Sequence, residues 1–168
     1  NPPKETEAAQ ALFNGGADIL LQNTDSPAVL QTAEKNGKFG FGWDSDMKAY
    51  GPKAHLASVV QDWGPYYIKT VKDVMDGKWE GNGGVWWGVK EGSIDMRSIG
   101  DMVPANVRES MEKVKAGLKD GSFHIWKGPI MSNDGKEVLA KDTVADDKFL
   151  RNITLYVKGV EGKVPTGK

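Results

Sequence analysis

GADILLQNTDSPAVLQTAEKNGKFGFGWDSD, residues 16–46, is the stretch that decides the fold of this chain. Residues 17–22 form a short apolar run, long enough for a buried strand and too short for a helix. Residues 28–35 then show helical spacing, and residues 39–43 form a second apolar strand. Strands that alternate with helices through short connections predict an α/β domain, with a parallel sheet and right-handed crossovers.

A polar cluster follows each of these two strands. Residues 23–27 read Asn-Thr-Asp-Ser-Pro, and residues 44–46 read Asp-Ser-Asp. In open α/β sheets, ligands bind outside the carboxyl ends of the parallel strands. We therefore expect both clusters to line one side of a cleft, whose wall is formed by Thr24, Asp25, Trp43, Asp44 and Asp46.

Asp44 is the sharpest candidate for a ligand contact. It comes directly after an apolar strand, where its carboxylate can accept hydrogen bonds from the paired hydroxyls of a ribose or another polyol. The alternative is a capped turn, in which the aspartate bonds nearby backbone amides. No glycine-rich phosphate loop is present, which argues against a site for nucleotide phosphates.

The rest of the chain continues with mixed helical and strand patterns. The predicted elements are helices at 2–14, 65–78, 103–118 and 146–151, and strands at 55–61, 85–96, 123–130, 138–139 and 154–157. Gln61 and Trp63 lie where strand 55–61 meets helix 65–78. The Gln61 amide can form paired hydrogen bonds with a buried ligand, and Trp63 either stacks on an aromatic base or anchors the helix.

Composition excludes several classes of protein. The chain has 168 residues, a net charge of −1 and no long basic run, which argues against a nucleic-acid binder. It has no cysteine, so disulfides, thiolate zinc sites and cysteine nucleophiles are absent. We predict no metal site, no cofactor and no catalytic residue. Ser58, His55 and Asp62 can be combined into a hydrolytic triad on paper, but no GxSxG motif supports one.

The sequence resembles one family along nearly its whole length. The segments that carry the resemblance are residues 16–67 (GADILL…GPYY), VWWGVKEGSIDM at 85–96, the helix region 103–130 and LYVKGVEGKVP at 155–165. They are similar to the BMP family (basic membrane protein, PnrA-like) of ABC-transporter solute-binding proteins.

This resemblance implies a type I periplasmic binding protein, in which two Rossmann-like lobes close around one small ligand. It implies a purine nucleoside or base as ligand, an ABC permease as partner, and a periplasmic or lipid-anchored location. The aspartate of the family's G-x-D-S-D motif, a ribose contact, falls on Asp44. A lysine that the family often carries at the hinge is replaced here by Gln61. The alternatives are a ligand-sensing domain of a receptor or regulator and, more remotely, an α/β enzyme acting on nucleosides.

The resemblance also implies a division of the chain. Residues 1–61 would be the core of the second, carboxyl-terminal lobe, and 62–80 a hinge and a helix that pack on the first lobe. Residues 81–168 would complete the second lobe and end in a hinge segment. The amino-terminal lobe should precede Asn1 and be largely missing. The apolar face of helix 65–78 would then be covered by an upstream fragment, by a second copy or by rearranged packing.

Overall fold

A computed structural model describes residues 1–81 and 84–165 of the chain. It contains two compact units, Asn1–Asp120 and Gly121–Lys168. The elements of the first unit are α1 (Pro2–Asn14), β1 (Ile19–Leu20), α2 (Ala28–Lys35), β2 (Phe39–Asp44), a 3-10 turn (Lys48–Tyr50), β3 (His55–Gln61), α3 (Gly64–Met75), β4 (Ile94–Arg97) and α4 (Ala105–Asp120). Those of the second are β5 (Ile130–Met131), β6 (Glu137–Leu139) and α5 (Asp147–Arg151).

The first unit is built on a four-stranded sheet in the order β1-β2-β3-β4. β1, β2 and β3 run parallel, and β4 pairs antiparallel with β3. The carboxyl ends of the three parallel strands therefore lie at one edge of the sheet. The predicted strand–helix–strand order is confirmed, and β1 and β2 are neighbours, with Ile19 opposite Phe39. The first strand is shorter and less buried than predicted for residues 17–22, because β1 covers only Ile19–Leu20 and Ile19 is exposed.

The core lies between the sheet and the helices α1 and α2. Its buried members include Phe13 from α1, Leu30 and Ala33 from α2, and Met47 from the turn after β2. Of the two glycines of β2, Gly42 is the one that this close packing requires, since a Cβ at Gly40 would make a contact of ordinary length. A Cβ at Gly40 would lie 3.4 Å from a Leu30 methyl, and one at Gly42 would lie only 2.1 Å from the Ser58 hydroxyl oxygen.

The other side of the sheet is more open. An apolar cavity of about 560 Å³ lies between the sheet residues Phe39 and Phe41 and the start of α4, where Val107 and Met111 face it. Among the described residues of α4, Gly117 is the only buried one. None of the described residues of α3 is buried.

Several predicted strands are shorter than expected. The prediction for residues 85–96 is wrong for most of its length, because β4 covers only Ile94–Arg97. The residues before it form a turn, in which the amides of Gly92 and Ser93 bond the carbonyls of Val89 and Gly88, each at 3.1 Å. β4 follows this turn and pairs antiparallel with β3.

The second unit contains a short hairpin. β5 and β6 pair antiparallel around the predicted turn at residues 132–136, and the Lys136 amide donates to the Ser132 hydroxyl oxygen at 3.0 Å. The predicted strand at 123–130 is reduced to an isolated bridge between Lys127 and Val144 and to its last residue, Ile130. The one at 154–157 forms an isolated bridge between Val157 and Ser132.

Candidate ligand-binding site

Asp44 occupies the end of β2 in an uncommon backbone conformation. Its φ angle is +67°, in the left-handed region that aspartate tolerates better than most residues. It pairs with Val60 of β3. Among the described residues, no hydrogen bond or ion pair engages its half-buried carboxylate. Asp44 thus offers unused acceptor atoms at the carboxyl edge of the sheet.

Asp46 differs from Asp44 because both of its carboxylate oxygens are engaged. The Lys48 amide donates to one oxygen at 3.0 Å, and the Ser98 hydroxyl donates to the other. The hydrogen bond from Ser98, followed by that from Lys48, lowers the pKa of Asp46. These contacts are those of a turn-forming aspartate, so the structure favours the capped-turn interpretation at this position.

The segment after β1 is tied to β2 through Gln22. The Thr24 hydroxyl donates to the Gln22 side-chain oxygen at 2.8 Å. The Gln22 amide nitrogen donates to the Phe41 carbonyl at 3.0 Å and lies 3.5 Å from the Met47 sulfur. Asp25 is exposed, and Thr24 is half-buried. Sequence reasoning missed Gln22, whose place as the last residue of an apolar run was the available signal.

Gln61 and Trp63 line the same small pocket at the end of β3. This pocket has a volume of about 220 Å³. Its walls are Gln61, Asp62, Trp63, Tyr66, Val85, Trp87, Ser93 and Ile94. Trp63 is 56% exposed, and its ring stacks on that of Tyr67, with ring centroids 6.3 Å apart. Tyr66 meets Trp87 edge-on at 5.9 Å. Tyr66 and Trp87 were not predicted as site residues.

The neighbouring Asp62 is part of an ion-pair network. Arg97 contacts Asp62 at 3.0 Å and Asp95 at 3.2 Å, and Lys115 contacts Asp95 at 2.5 Å. The hydrogen bond from Arg97, together with that from the Gly64 amide, lowers the pKa of Asp62. This carboxylate is therefore committed to holding β3, β4 and the start of α3 together.

The structure brings the predicted residues to one edge of the sheet, though not into one pocket. Asp44 ends β2, Gln61 ends the adjacent β3, and Thr24 and Asp25 follow β1. Trp43 pairs with Val59 and is half-buried. Of this set, only Gln61 and Trp63 line the 220 Å³ pocket.

His55 and Ser58 form a hydrogen bond that does not resemble a hydrolytic site. The His55 Nε2 and Ser58 Oγ atoms are 2.7 Å apart, but neither residue has any exposed surface. Asp62 is bound to Arg97 instead. A substrate cannot reach the Ser58 hydroxyl in this arrangement.

The described residues contain no cluster of three or more histidine, cysteine or acidic side chains able to hold a metal ion. Within residues 1–81 and 84–165, no helix is both long and apolar enough to cross a membrane.

The sequence matches a family model described as Bmp, the PnrA-like substrate-binding proteins of ABC transporters, over residues 1–122. The chain belongs to this family. The resemblance deduced from the sequence is thereby confirmed. A purine-binding protein of Brucella abortus is 42% identical over 98% of this chain and 47% of its own length. A Haloferax volcanii protein, whose name describes an ABC transporter glucose-binding protein, is 27% identical over 99% of this chain and 40% of its own length.

Solved structures share the fold. A transcriptional activator of the comK gene from Bacillus halodurans aligns with a TM-score of 0.66 at 22% identity, over 73% of this chain and 44% of its own. A solute-binding protein of an ABC system from Conexibacter woesei aligns with a TM-score of 0.56 at 21% identity, over 74% of this chain and 42% of its own. A third, from Aeropyrum pernix, aligns with a TM-score of 0.57 at 16% identity, over 79% and 44%. The α/β fold with a mainly parallel sheet is that of part of a type I periplasmic binding protein.

This Bmp-family chain spans about half the length of the curated relatives that it matches. The assignment of residues 1–61, 62–80 and 81–168 to the second lobe and hinge of a receptor stays a prediction.

Proposed function

We propose that this Bmp-family protein is the solute-binding component of an ABC importer and binds a purine nucleoside or base. The observation that carries the proposal is the unengaged Asp44 carboxylate at the carboxyl edge of the sheet, beside the end of β3 that carries Gln61. A carboxylate can accept two hydroxyl hydrogen bonds, the pattern that a ribose offers. The 42% identity to a purine-binding protein supports a purine as the base.

The other predicted residues have subsidiary roles in this proposal. Gln61 presents an amide donor and acceptor to the ligand, and Trp63 offers an exposed ring for stacking. Thr24, Asp25 and Trp43 shape the wall of the cleft, and Asp46 holds the turn that carries Asp44. We assign no catalytic role, in keeping with the names of the Brucella and Haloferax relatives, which describe binding proteins.

The partner and location follow from the family. A solute-binding protein of an ABC system delivers its ligand to a permease from outside the cytoplasmic membrane. The two lobes close around the ligand, and the permease would recognise this closed form. A purely regulatory role shares this fold, since a transcriptional activator is among the similar structures. That likeness concerns the fold alone, so we place the transport role first.

The exposed face of α3 marks where further protein packs. Ile68 is 70% exposed, Val71 59% and Met75 80%. An apolar helix face of this extent marks an interaction surface in a soluble protein. Since the relatives are about twice as long as this chain, we propose that the first lobe of the receptor covers α3 rather than a second copy of the chain.

NMR titration of the ¹⁵N-labelled chain with inosine, adenine and glucose tests the proposed ligand class. NMR is chosen because a single lobe makes only part of the ligand contacts and binds weakly. We expect inosine or adenine to shift the amide signals of Asp44 and Gln61, with glucose leaving them in place. Shifts caused by glucose alone would replace the purine by a sugar as the ligand.

A further inference from the structure

The two polar segments at the sheet edge, residues 23–25 and 44–46, are connected by a continuous set of contacts. Thr24 donates to Gln22 at 2.8 Å, and the Gln22 amide reaches the Phe41 carbonyl at 3.0 Å and the Met47 sulfur at 3.5 Å. The Met47 amide then donates to Ser58 Oγ at 3.0 Å, and Ser58 bonds His55 at 2.7 Å.

Ser58 is the fixed point of these contacts. Its side chain has no exposed surface, and His55 is equally enclosed. Met47 is 2% exposed, so both its backbone amide and its side chain are anchored in the core. Opposite Ser58, position 42 has no side chain, and a Cβ there would lie 2.1 Å from the hydroxyl oxygen. The sequence thus keeps a polar group and leaves room for it at a place where an apolar residue would pack more simply.

The segment that Ser58 holds is the one that carries Asp44. Between Asp44 and Met47, the Ser45 amide bonds the Trp43 carbonyl at 2.7 Å, and Asp46 bonds the Lys48 amide at 3.0 Å. The left-handed conformation of Asp44 costs free energy, and such conformations persist only where their surroundings fix them. Met47, three residues after Asp44, provides that fixation through the hydrogen bond from its amide to Ser58 Oγ.

We infer that Ser58, acting through Met47, and Gln22, acting through Thr24, are positioning residues that hold the two ligand-facing segments in a fixed mutual arrangement. This inference rests on the proposed function, because it takes Asp44 as the ligand contact. A rigid, prearranged site loses less conformational entropy when the ligand binds, so these buried groups contribute to affinity without touching the ligand.

The test compares Ser58→Ala with Thr32→Val. Thr32 supplies a matched control, because its hydroxyl is also buried, at 4% residue exposure, and donates to the Ala28 carbonyl at 2.7 Å within α2. Each variant loses one buried hydroxyl, and Thr32→Val measures the cost of that loss where no ligand-facing segment is attached. Gln22→Leu is a second test. Gln22 is half-buried, so this variant should fold and can replace Ser58→Ala if the latter is too unstable to study.

Two measurements are made on each variant: amide hydrogen exchange at residues 23–25 and 44–47, and NMR titration with inosine. In Ser58→Ala we expect exchange at Ser45 and Met47 to accelerate about tenfold or more, with Thr32→Val within about twofold of the original chain. Gln22→Leu should accelerate exchange at Thr24 and Asp25. Ser58→Ala and Gln22→Leu should weaken inosine binding about fivefold or more, and Thr32→Val should not.

Equal acceleration in Ser58→Ala and Thr32→Val would overturn the inference, as would faster exchange with unchanged inosine affinity. The two arms also separate this inference from the proposed function. If the original chain does not bind inosine, the purine assignment fails, and the exchange arm alone decides whether Ser58 and Gln22 fix the two segments.

Discussion

Asp44 on β2 is the register partner of Val60 on β3, so Asp44 stands beside the strand end that carries Gln61. Its carboxylate is not engaged by any described residue. We predict that Asp44→Ala weakens inosine binding by about 10- to 100-fold, the cost of losing hydrogen bonds to a charged group. Stability should fall by about 1 kcal/mol, because no internal hydrogen bond is lost but alanine adopts the left-handed backbone at position 44 less readily than aspartate.

Asp18→Ala is the control for this prediction. Asp18 precedes β1 at the opposite edge of the sheet, and its side chain is 78% exposed and paired with Lys38. Its removal should leave inosine affinity unchanged in the same NMR titration. An equal loss of affinity in both variants would mean that charge, and not contact, governs binding.

The central unit of the fold could be predicted because its signals are local. The apolar runs before Asn23 and Asp44 and the helical spacing at 28–35 each specify one element, and crossover geometry then makes the strands parallel. The strand predicted at 85–96 began too early, because a turn occupies residues 88–93 and its hydrogen bonds are not visible in the apolar pattern. The apolar pattern also made the predicted strands of the second unit too long, because pairing with a neighbouring strand, and not hydropathy, determines where β5 and β6 begin and end.

The candidate site was predicted less completely than the fold. Asp44 and Gln61 follow strands, and their place at the sheet edge could be expected from that alone. The roles of Gln22 and Ser58 depend on which segments are neighbours, since Gln22 bonds Phe41, 19 positions away, and Ser58 bonds Met47, 11 positions away. A serine in an apolar strand gives no sign of its partner.

The close approach of Gly42 and Ser58 predicts a specific cost for a side chain at position 42. A Cβ there would lie 2.1 Å from Ser58 Oγ and 2.9 Å from the Met47 Cβ, and all three residues are buried. Gly42→Ala should lower the free energy of unfolding by about 1–3 kcal/mol, the usual cost of overpacking a core. Gly88→Ala is the control, because a Cβ at Gly88 meets no atom within 4 Å. Urea unfolding measures both, and equal midpoints would refute the packing argument.

The exposed face of α3 can be tested by cysteine labelling, since the chain contains no cysteine. Val71→Cys places a thiol on the apolar face, and Lys72→Cys places one at the adjacent exposed position. Maleimide should react with both at similar rates in this chain. In a receptor-length protein, we expect position 71 to react about tenfold or more slowly than position 72, because the first lobe covers it. Protection of position 71 in this chain that grows with concentration would instead identify a second copy as the cover.

The buried His55 predicts a pH dependence of stability. Burial lowers the pKa of His55, the nearby Asp46 carboxylate opposes this shift, and Lys48 adds to it. In the unfolded chain the histidine titrates near its ordinary value of about 6.5. Below that pH the unfolded state binds more protons than the folded state, so the free energy of unfolding should fall as the pH drops from about 7 to about 5.

Hydrogen bonding explains why the protonated state is poorly accommodated. His55 Nδ1 has no partner among the described residues, and Nε2 faces Ser58 Oγ, which already accepts the Met47 amide. A proton added to the ring would be a buried charge with one donor unpaired. Asp46 and Asp62 are two of the carboxylates with a lowered pKa, so they stay ionised through this range and lose their contribution only at lower pH. His55→Gln should therefore flatten the dependence between about pH 7 and 5 in urea unfolding series. If the free energy of unfolding of His55→Gln still falls between about pH 7 and 5, another titratable group causes the pH dependence.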